Sequence, residues 1–506
     1  MSKSTCADDV CVRFQFSVIA KACFSITLGL LLTVNLAFGQ AEAGSISGTI
    51  KDATGAVITG ATVKAKSVAT GSERSTKTGT LGQFSIPSLT PGNYQVTISA
   101  DKFQTNRTTT VVTVGGITTV DAQLIIGSSS VVVDVVGETG TQVNTETQEL
   151  SQLINTQQVA SLPSLTRNIY DFVALSGNVS NGDSTSNSSG STITLSGQNI
   201  NNQGVGYSIN GQREVGTEIL LDGVENAQIF TGSVGEQVPV DAVQEYSIVT
   251  SNFAAEYGRA SGGVVNVTTK SGSNSFHGSA WEFNRLSAYT ANTYDNVALD
   301  LPKGVYTRNM FGFNVGGPLI KNKLFFSETT EWTRVRSAAI ETELIPTTAF
   351  LGYTAPNVQS YFGAFGATPY QSQTGTTYNQ AALGVSLPGV PAATPILQQV
   401  SFAANADAGG DYPQNAYRIL GRVDYNLSDK TQMFARFGQE NQLLFPGQEF
   451  YGPYPQYDVG TAINNDSGLF SVTHTFNSYL LTSSKLSISR LTDPFSYNAA
   501  AATRPS

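Results

Sequence analysis

The sequence predicts a mainly β protein: a small N-terminal β-sandwich, a mixed α+β unit, and then an antiparallel sheet of long strands. Three observations predict it. Apolar and polar residues alternate with period two, most cleanly in AYRILGRVDYNL (Ala416–Leu427), and such alternation gives a strand one dry face and one wet face. Gly, Asn, Asp and Ser punctuate these runs at short intervals, as turns between strands require. Charged residues make up only 13% of the 506 residues, against about 25% in an average soluble chain. Gly, Ser, Thr, Asn and Gln fill the difference, a composition that suits turn-rich β structure rather than helices or a disordered polyelectrolyte.

The chain opens with an apolar run, ACFSITLGLLLTV (residues 22–34), preceded by Arg13 and Lys21 and followed by Ala37-Phe38-Gly39. Residues 1–39 read as a secretory signal peptide cleaved between Gly39 and Gln40; the run is too short to span a bilayer as a helix. All three cysteines, Cys6, Cys11 and Cys23, fall in this segment. A disulfide scaffold, a thiol enzyme and a Cys-ligated metal site are therefore excluded from the mature chain. The net charge is −9 with no basic stripe, so nucleic acid is not an expected partner.

Residues 44–127 carry short alternating runs: Ile46/Gly48/Ile50, Ala61/Val63/Ala65, Phe84/Ile86, Tyr94/Val96/Ile98 and Val120/Ala122/Leu124. Turn chemistry at Asp52–Gly55, Leu81-Gly82 and Pro91-Gly92-Asn93 separates them, and this spacing predicts a sandwich. The order Gly48, Asp52, Gly55, Gly60-Ala61, Val63, Gly82, Phe84, Pro91-Gly92, Tyr94, Phe103 resembles the carboxypeptidase regulatory-like domain, which implies a prealbumin-like β-sandwich. The acidic residue usual shortly before the Gly82 position is missing. A spacer or docking role and sugar binding both remain open for it.

A low-complexity linker, residues 128–147, contains VVVDVVG. Its extended β-branched stretch (Val131, Val132, Val133, Asp134, Val135, Val136) can add a strand to a partner's sheet edge or serve as one more edge strand of the sandwich.

Residues 148–273 begin with LSQLINTQQVASLPSL, which predicts a short helix ended near Pro163. Strand signals then flank a tight turn at Asp222-Gly223. The runs Leu162-Pro163, Arg167-Asn168, Asn210-Gly211-Gln212-Arg213, Leu220–Val224, Val240–Glu245 and Glu256–Gly263 resemble the plug domain of TonB-dependent outer-membrane receptors, in the Oar-like branch. The usual Arg near Gln244–Glu245 and the Arg-Gly-Pro step near Thr250–Asn252 are missing, so details of siderophore receptors are not carried over. The resemblance implies an energising TonB-type partner in the periplasm that pulls an N-terminal strand, for which Val131–Val136 is the candidate. It also implies contacts between plug and barrel, for which Glu256, Tyr257 and Arg259 are candidates; Asp222 and Gly223 are read first as a plain hairpin turn of the plug and stand beside them as further candidates.

Residues 274–506 hold about seven strand candidates (277–287, 309–319, 323–336, 416–427, 431–440, 467–476 and 478–490). Long and tight connections alternate strictly along them. That asymmetry, with strands of roughly ten residues, is expected of an outer-membrane barrel. Lipid is then the neighbour of the dry face, and Arg418, Arg422, Asp424 and Asn426 face a wet lumen. Plugged lumens belong to barrels of about 22 strands. The expectation is an incomplete barrel, the sequence being the N-terminal part of a longer protein or a broken gene.

No nucleophile–base pair, paired-carboxylate site or cofactor motif is present, and His277 and His474 lie in separate strands; no enzyme activity, metal or cofactor is expected. Tyr353, Tyr361 and Tyr370, in the connection 337–415, are candidate ligand contacts on the outside; an ordinary extracellular loop packing on itself is the favoured reading of the same residues. The functional expectation is an outer-membrane receptor/transporter taking up a bulky extracellular solute, such as a carbohydrate or siderophore. The alternative is a non-transporting surface protein, an adhesin or carbohydrate-binding platform.

Overall fold

The computed structural model describes residues 43–497 apart from 128–131, 136–148, 163–166, 182–206, 214–215, 228–233, 254–256, 293, 299–301, 366–372, 405–414, 447–451, 455–457, 478–479 and 493–494. The cleavage site at Gly39-Gln40 lies outside these residues.

The first unit comprises β1 (Gly44–Asp52), β2 (Thr62–Ser67), β3 (Glu73–Lys77), β4 (Gln83–Leu89), β5 (Gly92–Ser99), β6 (Thr105–Val112), β7 (Ile117–Thr119), β8 (Ala122–Leu124) and β9 (Val132–Val135). One sheet is built on β1, which pairs with β4, β7 and β8; the other runs β3-β2-β5-β6-β9. The alternating residues Ile46, Ile50, Val63, Ala65, Phe84, Tyr94, Val96 and Ile98 meet between the sheets in one buried cluster, so this is a sandwich. Gly48 is required there: a Cβ on it would sit 2.0 Å from the Val120 carbonyl oxygen. Asp52 shapes its turn by accepting from the Thr54 and Ala56 N–H groups at 2.8 and 2.9 Å. The polar strands β3 (ERSTK) and β6 (TNRTTTVV) are not among the alternating runs of the sequence. They form because their sheet partners, β2 and β5, supply the pairing.

The middle unit comprises β10 (Leu150–Asn155), β11 (Val179–Asn181), β12 (Tyr207–Ile209), β13 (Thr217–Leu221), β14 (Val224–Glu225), β15 (Val243–Ser251) and β16 (Gly263–Thr269). Its sheet runs β10-β15-β16-β13-β14, with β13 parallel to β16. The short helix expected to end near Pro163 is Thr156–Ser161, and residues 150–155 before it pair with β15. A capping box made by Asn155 and Gln158 starts that helix where the strand ends. Ile154, Val159, Tyr170, Phe172, Tyr207, Ile219, Tyr246 and Val265 form its core.

The last unit comprises β17 (His277–Leu286), β18 (Val305–Ile320), β19 (Leu324–Pro346), β20 (Gln373–Tyr378), β21 (Leu397–Ala404), β22 (Asn415–Ser428), β23 (Thr431–Leu444), β24 (Val459–Thr475), β25 (Leu481–Thr492) and β26 (Phe495–Tyr497). Its sheet follows the path β17-β18-β19-β22-β23-β24-β25, antiparallel throughout. The connection 337–415 is not a plain loop: β19 runs on to Pro346, and β21 and β20 extend the sheet from it. Helices Thr348–Leu351, Pro356–Phe365 and Gln380–Leu383 complete this insertion. Among the described residues no helix is long and apolar enough to cross a membrane.

Period-two alternation sorts the faces of this sheet. Phe311, Phe313, Val423, Tyr425, Phe437, Phe470, Leu486 and Ile488 project outward and are exposed. The opposite face packs on the middle unit, and Leu420 of β22 belongs to that unit's own core cluster. This corrects one expectation. Arg418 and Arg422 are 8% and 6% exposed, so they do not face open water; the middle unit covers them.

Candidate functional site

The register of β22 against β23 sets a problem that the middle unit solves. Arg422 and Arg436 are direct cross-strand partners, and like charges directly opposite one another repel. The Asp222 carboxylate is inserted between them. Arg422 Nη1 donates to Asp222 Oδ1 at 3.2 Å and Arg436 Nη1 to Oδ2 at 3.3 Å. All three side chains are at most 6% exposed.

Local sequence explains why Asp222 can reach. It occupies the tip of the β13–β14 hairpin with φ 52°, followed by Gly223 at φ 69°, the pair of positive φ values a tight two-residue turn requires. Its carboxylate is held by the Thr269 N–H at 2.9 Å and the Thr269 hydroxyl. Lys485 Nζ donates to the carbonyl oxygens of Asp222 and Gly223, both at 3.3 Å. Arg422 is anchored on its other side by Asp424 at 2.8 Å and lies 4.1 Å over the Phe434 ring.

Two further nodes flank this one. Arg418 and Glu440 are directly opposite on β22 and β23 and pair at 2.9 Å; Arg418 also donates to Gln237 Oε1 at 2.7 Å, and Glu440 accepts from the Gln237 N–H at 3.2 Å. Beside them, Glu236 is buried against β23 and β24, where Ser467 donates to it. Gly438 makes that approach possible, since a Cβ there would lie 1.8 Å from Glu236 Oε1. Burial pushes the Glu236 carboxyl above its usual range, opposed by the Arg436 charge and the Ser467 hydroxyl. At the third node Arg167 of the middle unit pairs with Asp241 at 2.5 Å and approaches Glu331 of β19 at 3.5 Å. Its guanidinium sits 4.0 Å over Phe283.

These nodes are ionic and hydrogen-bonded rather than greasy, and they join a folded domain to one face of a long-stranded sheet. Comparison with known proteins gives that arrangement its setting. A family model described as an outer membrane beta barrel domain matches residues 268–505, and one described as a carboxypeptidase regulatory-like domain matches residues 45–125. The last unit is an outer-membrane β-barrel domain. The TonB-dependent transporter Oar of Myxococcus xanthus is 26% identical over 320 residues, covering 59% of this chain and 28% of that protein. The probable TonB-dependent siderophore receptor PirA of Acinetobacter baumannii is 34% identical over 145 residues, covering 26% of this chain and 17% of that protein. Among solved structures, the outer membrane transporter YddB of Escherichia coli aligns with a TM-score of 0.45 at 12% identity, over 69% of this chain and 40% of that one. The chain thus spans less than a third of the length of these two curated relatives. The chain is similar to the Oar-like TonB-dependent receptors.

Of the residues singled out in the sequence, the structure brings Asp222 and Gly223 to the barrel wall. Tyr257 is buried in a cluster of the middle unit with Leu220, Val249 and Val264. Arg259 pairs with Glu225 within the middle unit. Glu256 and Tyr370 lie outside the described residues. Val132–Val135 forms β9, parallel to β6 at the edge of the sandwich, while Val131 and Val136 are outside the described residues. Tyr353 and Tyr361 are about half exposed in the insertion after β19, Tyr361 standing edge-on to Phe362. His277 and His474 are bound to Ser275 and Thr431 oxygens, and no metal-holding cluster exists among the described residues. Arg436, Glu236 and Glu440 were not singled out. For Arg436 and Glu440 the signal lies in the register: the tight turn at 428–430 sets Arg422 opposite Arg436 and Arg418 opposite Glu440; Glu236 has none.

Proposed function

We propose that this outer-membrane receptor is a TonB-dependent transporter. In this reading an energised periplasmic partner pulls on Val131–Val136, the plug loosens from the barrel wall, and a bulky solute such as a carbohydrate or siderophore passes. The observation that carries the reading is the Asp222 node, a plug carboxylate held between two barrel arginines. A buried ion pair contributes little net stability relative to apolar packing, because desolvation offsets the attraction. A plug joined to its wall in this way can be firmly registered and still be released. Strand addition by a partner suits the β-branched composition of Val131–Val136.

The alternative reading, a non-transporting adhesin or carbohydrate-binding platform, draws on the exposed Tyr353 and Tyr361, whose rings offer stacking surfaces. Deletion of Val131–Val136 separates the two. A transporter lacking this segment retains surface binding of its solute and loses uptake. Uptake unchanged by the deletion refutes the proposed pulling strand.

A further inference from the structure

The N-terminal sandwich is more than an appended spacer in its contacts, because it touches the plug and the barrel at once. On the barrel side, the β2–β3 turn lies across the tight-turn rim, the end of the barrel that faces the periplasm. The Asn274 N–H donates to the Ala69 carbonyl oxygen at 2.9 Å. Asn274 in turn exchanges two hydrogen bonds with Asn322 of the β18–β19 turn, each 2.8 Å. Arg74 of β3, 5% exposed, donates to Gln432 Oε1 at 2.8 Å and to Thr475 Oγ1 at 3.3 Å. Gln432 returns a bond to Ser72 Oγ at 2.8 Å. On the plug side, the Val114 N–H of the β6–β7 loop donates to the Glu245 carboxylate of β15. A cavity between the three units is lined by Ser72 and Thr90 of the sandwich, Thr269 of the plug, and Arg422 and Gln432 of the barrel.

Two features of this contact bear on its use. First, it bridges: β15 cannot shift relative to the rim without breaking either the Val114–Glu245 bond or the bonds of the β2–β3 turn. Second, it is polar. The buried Arg74 guanidinium donates to neutral oxygens of Gln432, Thr475 and Pro87, which repay its desolvation only in part. Polar interfaces between domains are of the kind that separate and re-form.

We propose that the sandwich is a periplasmic strap that, at rest, ties the plug to the barrel rim, so that the plug moves only after the sandwich undocks. The consequence for uptake rests on the transporter reading above; the tie itself does not.

The test uses the full chain in its outer membrane, with Ala69→Cys and Asn274→Cys introduced together. Residues 40–506 contain no other cysteine. Treatment of resting cells with a short, reducible bis-thiol cross-linker should join the pair, and Arg74→Ala should lower the yield several-fold. The cross-linked protein should keep surface binding and lose uptake at least tenfold, with recovery after reduction. Absence of cross-linking in resting cells would overturn docking, and cross-linked protein that transports at the reduced rate would overturn the restraint. If even the reduced protein accumulates nothing in energised cells, the transporter reading fails. Amide exchange in β15 then judges the strap alone: cross-linking should slow it and Arg74→Ala should speed it, and exchange indifferent to both would refute it.

Discussion

Arg422 and Arg436 are tolerable as cross-strand neighbours only because Asp222 lies between them. Removing the carboxylate leaves two buried cations short of a partner, a change that destabilises by about 3–5 kcal/mol when no compensation is available. Asp424 partly compensates Arg422, so Asp222→Ala should fall at the lower end of that range in urea unfolding followed at the plug. The Asp222→Ala/Arg436→Ala double variant should lose less than the sum of the two single losses, the mark of direct coupling; strict additivity would count against the node. Gly438→Ala tests the neighbouring contact from the barrel side. Its methyl group would overlap Glu236 Oε1, so the variant should release the plug locally, read as faster amide exchange around Glu236-Gln237 with the strand pairing of β23 intact. The sequence made half of this site legible. Asp222-Gly223 stands out as a turn with a charged tip. Glu236 and Arg436 do not stand out, because a single charge in a polar run acquires meaning only when a register or a fold brings its counterpart near.

At the scale of elements, alternation was a reliable guide wherever one face of a strand meets a core. The strands of the barrel wall and the inner strands of the sandwich follow it. It failed for β3 and β6, whose residues are mostly Thr, Ser, Asn and charge, and for β20 and β21, which extend β19 beyond the part of the wall that packs on the plug. Those elements are specified by their neighbours' unpaired backbone groups rather than by their own patterning. The contact between β15 and the β6–β7 loop of the sandwich carries a prediction of its own. Burial pushes the Glu245 carboxyl up to about 7 from an ordinary 4.5, partly offset by the Val114 N–H. The folded chain therefore holds this proton more tightly than the unfolded one. The stabilising contribution is full below the unfolded value and is lost as pH rises through about 7. Plug stability in urea should decline between about pH 5 and about pH 8, and Glu245→Gln should flatten that decline. A decline of the same size in the variant would assign the effect elsewhere.

On the scale of the whole molecule, three units are arranged so that the middle one is held twice. Ionic nodes join it to one face of the long-stranded sheet, and the sandwich contacts it at Glu245. Both holds are polar, and both involve groups that water can receive when the contact opens. In the transporter reading proposed above, a unit that must yield to a pull is served by contacts of this kind, where apolar packing would hold it more firmly. The most direct test of that account is to find a solute the protein retains at the cell surface and to follow its accumulation in energised cells and in cells de-energised by a protonophore. The account predicts equal surface binding in both and accumulation only in the energised cells. Binding without accumulation in either condition would contradict transport and leave a surface-binding protein.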